Sequence, residues 1–125
     1  MAAIEEAIAI HRRLAETNPA TYEPRLADLR HNLSVRLAEN GRRQEAMAAI
    51  EEAIAIHRRL AEAYPLMYEP DLAASLHNQS NRLAENGQQQ DALTAIEEAA
   101  TTRRQLAQAN PSTYAPDLAA SLHNL

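Results

Sequence analysis

Three histidines and two serines are the side chains in this sequence whose types and spacing could do chemistry. His31, His77 and His123 recur at an offset of 46 residues, and Ser34 and Ser80 follow the first two by three positions. Imidazoles ligate metals or act as general bases, and a serine beside a histidine is the usual arrangement of an activated nucleophile. Metal chelation, however, needs ligands that converge to about 2 Å from one ion. The chain has no cysteine and no pair of histidines four residues apart. Histidines at equivalent places on successive helices stand too far apart, because neighbouring packed helices lie about 8–10 Å from each other. A repeated surface row explains the recurrence more simply than a nucleophile and its base. Gly41 and Gly87 are the only glycines, so no glycine-rich phosphate loop exists. The residues therefore point to no catalytic group, no cofactor and no metal, and to a protein that is not an enzyme.

The elements that position these residues form an internal repeat. The segment from Ile4 to Glu16 recurs unchanged from Ile50 to Glu62, and a decayed copy begins at Ile96. Tyr22, Tyr68 and Tyr114 keep the same offset, as do Pro24, Pro70 and Pro116. The units run 4–49, 50–95 and, in part, 96–125: about 2.7 repeats of 46 residues within one domain, 1–125.

Each unit holds two helical stretches. The first type is expected from about Pro24 to Asn40 and from Pro70 to Asn86, with proline in the first turn and Gly41 or Gly87 just past the end. The second type is expected from about Arg43 to Ala63. Its apolar stripe Ala46, Ile50, Ala53, His57, Leu60 has spacings of three and four. Acidic residues in its first half and Arg58-Arg59 near its end complement the helix dipole. Tyr68 is expected in a loop, with the three repeated tyrosines filling space beneath it. His11 and His57 become Arg103 in the third unit, which suggests a stripe edge that reaches solvent. The paired Glu5-Glu6 and Arg12-Arg13 read as solvated faces rather than docking elements.

Composition limits the remaining classes. The 125 residues carry a net charge of −5 with arginine and glutamate interspersed, unlike the basic face of a nucleic-acid binder. No apolar run approaches the roughly 20 residues of a membrane span, and the first residues do not read as a signal peptide. A cytoplasmic location is the expectation. All twelve basic residues are arginine, a hint of a GC-rich bacterial genome.

The stretch Asn32-Leu33-Ser34-x-x-Leu37-x-x-x-Gly41-x-x-x-x-Ala46-x-x-x-Ile50-x-x-Ala53 resembles a tetratricopeptide repeat, and Ser80, Leu83, Gly87, Ala92, Ile96 and Ala99 repeat it. The 46-residue period is similar to the long kinesin-light-chain type of repeat. Departures occur where Leu33 and Val35 become Gln79 and Asn81, and where Arg30 stands in place of Leu76 and Leu122. The resemblance implies an all-α, right-handed superhelical solenoid of antiparallel pairs, with six helices and the last cut short. It also implies a protein or peptide partner, and neither nucleic acid nor membrane.

In that family the first-type helices line a concave groove. The matching positions are His31, Asn32, Val35, Ala38 and Glu39, then His77, Asn78, Asn81, Ala84 and Glu85, then His123 and Asn124. Asparagine can both donate to and accept from an extended peptide backbone. Glu39 and Glu85 disfavour a strongly acidic ligand, a preference that reverses once the histidines gain charge at low pH. The alternative function is structural: head-to-tail self-association through Ile4, Ile8 and Leu14 at one end and Leu118, Leu122 and Leu125 at the other, a heterologous contact that makes rings or open stacks.

Overall fold

The computed structural model describes residues 2–125, and all of its regular elements are helices. They are α1 (Ala2–Thr17), α2 (Pro19–Glu39), α3 (Arg43–Ala63), α4 (Pro65–Glu85), α5 (Gln89–Ala109) and α6 (Pro111–His123). Each helix packs on its neighbours in sequence, and α2 also touches α4. This is a solenoid of antiparallel helix pairs.

The turn after each first-type helix follows from three residues. Asn40 caps α2, and Gly41 takes the left-handed conformation at φ 76°. The Gly41 N–H then donates to the Ala38 carbonyl and the Arg42 N–H to the Leu37 carbonyl. That pair of bonds is a Schellman motif, and it satisfies carbonyls that the helix end would otherwise leave free. Asn86, Gly87 (φ 79°) and Gln88 repeat it after α4. Only these three residues separate one helix from the next.

First-type helices begin five residues earlier than the sequence suggests. Pro19, Pro65 and Pro111 hold the first position, and Asn18 caps α2 by accepting from the Thr21 N–H at 3.4 Å. Pro24, Pro70 and Pro116 lie inside the helices, and Tyr22, Tyr68 and Tyr114 are helical rather than in loops. An internal proline removes one backbone donor, here opposite the carbonyl of Ala20, Leu66 or Ser112. Those three residues are exposed, so water can satisfy the freed carbonyl. Pro19, Pro65 and Pro111 suit a first helical turn as well as Pro24, Pro70 and Pro116 do, and in the added turn Tyr68 packs against the core.

The central core joins Ile50, Ala53 and Ile54 of α3, Leu72 and Leu76 of α4, and Ile96 and Ala99 of α5. Ala27, Ala46, Ala53, Ala73 and Ala99 have no exposed surface, and their small size lets the helices approach closely. Buried hydroxyls set the register inside each pair. Ser34 Oγ donates to the Ala46 carbonyl at 2.8 Å and Ser80 Oγ to the Ala92 carbonyl at 2.9 Å.

Arg30 occupies the place that Leu76 fills in the next unit. It is 8% exposed and paired with Glu52, whose side chain is half exposed. Burial, and then the neighbouring Arg12, push its pKa down. In the next unit Arg58 pairs with Glu98 instead, at 2.9 Å. Arg30→Leu should therefore raise unfolding free energy by about 1 kcal/mol, because an apolar side chain of suitable volume avoids the desolvation of a buried charge. Arg12 is then free to take Glu52 as Arg58 takes Glu98. Urea denaturation at neutral pH checks this, and a lower midpoint would show that the ion pair contributes more than leucine would.

Candidate peptide groove and the seams beneath it

The first-type helices α2 and α4 are in direct contact, whereas the second-type helices α3 and α5 are joined by the exposed side-chain pair Arg58–Glu98. Contacts join α2 to α4, and hydrogen bonds join α2 to α4 and α4 to α6. The inner side of the curve is thus lined by α2, α4 and α6.

The structure divides the expected groove residues into two groups. Asn32, Val35, Glu39, Ala84, Glu85, His123 and Asn124 are exposed, and His31, Ala38, His77 and Asn81 are partly so. Asn78 is buried instead: its Oδ1 accepts from Arg82 Nη1 at 2.9 Å and its Nδ2 has no partner. It belongs to the packing beneath the groove. Asn81, Ala84 and Asn124 open onto one cleft of about 420 Å³, with Leu93 and Leu125 on its wall. There Asn124 Nδ2 donates to Asn81 Oδ1 at 3.3 Å and lies 3.0 Å from His77 Nε2. No such bridge joins Asn32 to α4.

Beneath the groove, polar networks seal the seams between repeats. At the first seam, Ser75 Oγ lies 2.8 Å from His57 Nδ1 and 3.1 Å from His31 Nδ1. His57 is 2% exposed, contrary to the solvent-edge expectation, because α4 folds over that part of the α3 stripe. Its Nε2 is 3.5 Å from Asp28 Oδ1 but makes no hydrogen bond. At the second seam Arg103 replaces His57. Its Nη1 donates to Ser121 Oγ at 2.8 Å, to the Asp117 carbonyl at 3.2 Å and to His77 Nδ1 at 2.9 Å. His11, the first member of this series, is half-buried; its Nδ1 donates to the Ala7 carbonyl at 2.9 Å and its ring meets Tyr22 edge-on.

Ser75, His57 and Asp28 stand in the order of a serine-nucleophile triad. Ser75 is fully buried, however, and its hydroxyl is shared with a second imidazole, so no substrate can reach it. Among the described residues, no three histidine, aspartate or glutamate side chains are arranged to hold a metal ion.

Sequence reasoning passed over Asp28, Asp71, Ser75 and Ser121, and it read His57 and Arg103 as a stripe edge that reaches solvent. One signal was present: a polar residue interrupts the apolar stripe at His57 and Arg103, and a serine follows 18 residues later in both units. The first unit has Leu29 in that place and no such network.

The end-face residues are also distributed unevenly. Ile8 is buried against Leu26, Ala27 and Ile56, and Ile4 is packed against the same cluster. Leu14 is exposed, as are Leu122 and Leu125, and Leu118 is intermediate. Ile10, exposed at 41%, joins Leu14 on the outer face of α1.

Burial holds His57 below the ordinary imidazole pKa, opposed by Asp71 and Asp28. Burial does the same to His31, with His57 and Arg82 adding and Asp28 opposing, and to His77, with Arg103 adding and Asp117 opposing. A folded pKa below the unfolded value means that the unfolded chain binds more protons, so stability falls with pH below about 6.5. Asp71 acts in the opposite sense, since burial raises its carboxyl, but over the lower carboxylate range. The melting temperature should therefore drop between about pH 7.5 and about pH 5.5. The drop should shrink in His57→Gln, which keeps a polar group for Ser75. Calorimetric scans of both proteins check this; equal drops would remove His57 from the effect.

Among the described residues, no helix is long and apolar enough to cross a membrane. Compared with curated proteins, the chain matches none. The family model of the tetratricopeptide repeat matches residues 26–63 and again 72–111, more than half of the chain. Each match opens partway along a first-type helix and takes in the whole second-type helix that follows. The six-helix solenoid, its paired helices and both glycine turns agree with that match, and the chain belongs to the tetratricopeptide repeat family.

Proposed function

We propose that this chain is a protein- or peptide-binding module that takes an extended segment along the α2, α4 and α6 face. Tetratricopeptide repeats generally mediate protein–protein interaction or scaffolding. The observation that carries the reading is the row of amide and imidazole side chains on the inner face, with Asn32 exposed and unbridged and Asn81 and Asn124 at the mouth of a cleft. Asparagine amides there can pair with both backbone groups of an extended peptide, and Val35, 37% exposed, adds apolar contact. The chemistry is recognition rather than catalysis.

A second reading is favoured by one feature. Leu26 and Ala27 of α2 pack against Ile8 of α1 and Ile56 of α3 together. Their counterparts on α6 are Leu118 and Ala119, and the counterpart of Ile56 on α1 is the exposed Ile10. A second-type helix presenting Ile10 and Leu14 therefore suits the outer face of α6, where Leu122 is also exposed. Further repeats of the same chain or a second copy would satisfy that face equally. Head-to-tail stacking of the 125-residue chain should appear as a mass that grows with concentration and is reduced by Ile10→Glu. A constant monomeric mass would end this reading.

For the groove, a peptide selected by display against the folded chain is the probe. Asn32→Ala with Val35→Ala should weaken it by about 1 kcal/mol or more, from lost hydrogen bonds and contact. Arg58→Ala with Arg59→Ala on the outer helix should change it much less. Isothermal titration of both double variants decides, and equal losses would move the site off the inner face.

A further inference from the structure

We propose that the cleft between α2 and α4 is an arginine-side-chain pocket: Asp28 and Asp71 receive the guanidinium of a bound peptide over the buried edge of His57. The inference rests on the groove reading and specifies one feature of its ligand.

The two seams are built on the same backbone pattern but carry different charges. At the second seam the chain supplies its own guanidinium. Arg103 lies half-buried beside Asp117, with its Nη1 on Ser121 Oγ, His77 Nδ1 and the Asp117 carbonyl. At the first seam the matching residue is His57, which is shorter and does not fill that space. Asp71 matches Asp117, and Asp28 adds a second carboxylate where the later units have Ala74 and Ala120. No arginine of the described residues forms an ion pair with either aspartate; the one ion-pair contact recorded for them joins Asp28 to His57. The result is a cleft of about 300 Å³, bordered by Asp28, His31 and Asn32 on one side and Asp71 and Ala74 on the other, with His57 at its base.

The carboxylates alone would not mark a site. The second observation is His57, which is 98% buried and whose Nε2 faces this cleft without a hydrogen-bond partner. Its Nδ1 and that of His31 share one hydroxyl. One arrangement that completes the chain of bonds has His57 Nδ1–H donating to Ser75 Oγ and the Ser75 hydroxyl donating to His31 Nδ1. In that arrangement His57 Nε2 is an acceptor, 3.5 Å from an Asp28 oxygen and without a hydrogen bond. The two carboxylates and this nitrogen give the cleft an excess of acceptors. A guanidinium, planar and carrying five N–H donors, suits two carboxylates and an imidazole nitrogen better than the compact ammonium of lysine. The Asp28 side chain is 60% exposed and can turn outward to let a ligand N–H reach Nε2. Asn32, at the rim, would hold the adjoining peptide backbone.

The test is an NMR titration of histidine-labelled protein at neutral pH with acetyl-Gly-Arg-Gly-amide. Parallel titrations use the lysine counterpart, the citrulline counterpart and acetyl-arginine amide. The arginine tripeptide should shift the His57 and His31 ring signals saturably. Citrulline, which keeps the shape but not the charge, should bind at least about tenfold more weakly, the range expected for losing a charge-assisted pair. Lysine should fall between them, and acetyl-arginine amide should bind more weakly than the tripeptide because it lacks the backbone contacts. Asp28→Asn with Asp71→Asn, both at exposed positions, should weaken the tripeptide at least about tenfold. His57→Arg should abolish binding by filling the pocket as Arg103 fills the other seam. Equal binding of the citrulline peptide, or unchanged binding to the aspartate double variant, would overturn the pocket. The same holds for arginine-peptide shifts confined to the His77 ring, beside Asn124 in the other cleft, although the groove reading would survive that result. Equal binding of acetyl-arginine amide would overturn the peptide as the source of the guanidinium.

Discussion

Close approach between neighbouring helices is the constraint on which the rest of this structure depends, and alanine sets its distance. Ala27, Ala46, Ala53, Ala73 and Ala99 have no exposed surface, and each lies where one helix crosses the next. Larger side chains there would push the backbones apart. The isoleucines and leucines around them would then lose contacts that are individually small and collectively large. Because each helix finds its partners among its nearest neighbours, the chain has no core outside this succession of contacts. The Schellman turns at Gly41 and Gly87 serve the same end by returning the chain within three residues.

Polar groups inside this packing fix its register. Ser34 and Ser80 tie the two helices of a pair together through single buried hydrogen bonds, and apolar packing alone would tolerate small slides along the helix axis. Between repeats the task falls to Ser75 and Ser121, each meeting one side chain from the preceding second-type helix and one from the preceding first-type helix. Burying these groups costs free energy unless they are paired. Where pairing is incomplete, at His57 Nε2 and Asn78 Nδ2, the structure departs from the rule beside the inner face.

Charge is distributed in keeping with this division. On the outer helices, arginines and glutamates pair across the surface, as Arg58 does with Glu98 and Arg59 with Glu23 of α2. Such exposed pairs contribute little to stability. On the inner face, Asp28 and Asp71 face each other across a seam, where the next seam carries an arginine of its own. The two seams therefore share a backbone and differ in the charge they leave open to a partner.

The sequence by itself determined the period, the all-helical class, the alternation of two helix types and both glycine stops. Each of these follows from local rules: 3.6-residue periodicity, the conformational freedom of glycine, and identity at a fixed offset. It also placed Asn32, Asn124 and their neighbours on one row, through a resemblance that gave each position a face. It did not find the true helix starts, since Pro19 and Pro24 both satisfy the local rule and the packing of the first turn decides between them. Nor did it show that His57 is buried, that Asn78 lies beneath the groove, or that Ile10 rather than Ile8 forms the outer face of α1. Those outcomes depend on which helix covers which stripe. That the lone hydroxyl of Ser75 meets two imidazoles, His31 and His57, is a fact of three helices at once. No spacing within a single segment encodes it, because the partners come from α2, α3 and α4 and meet only when those three helices pack together.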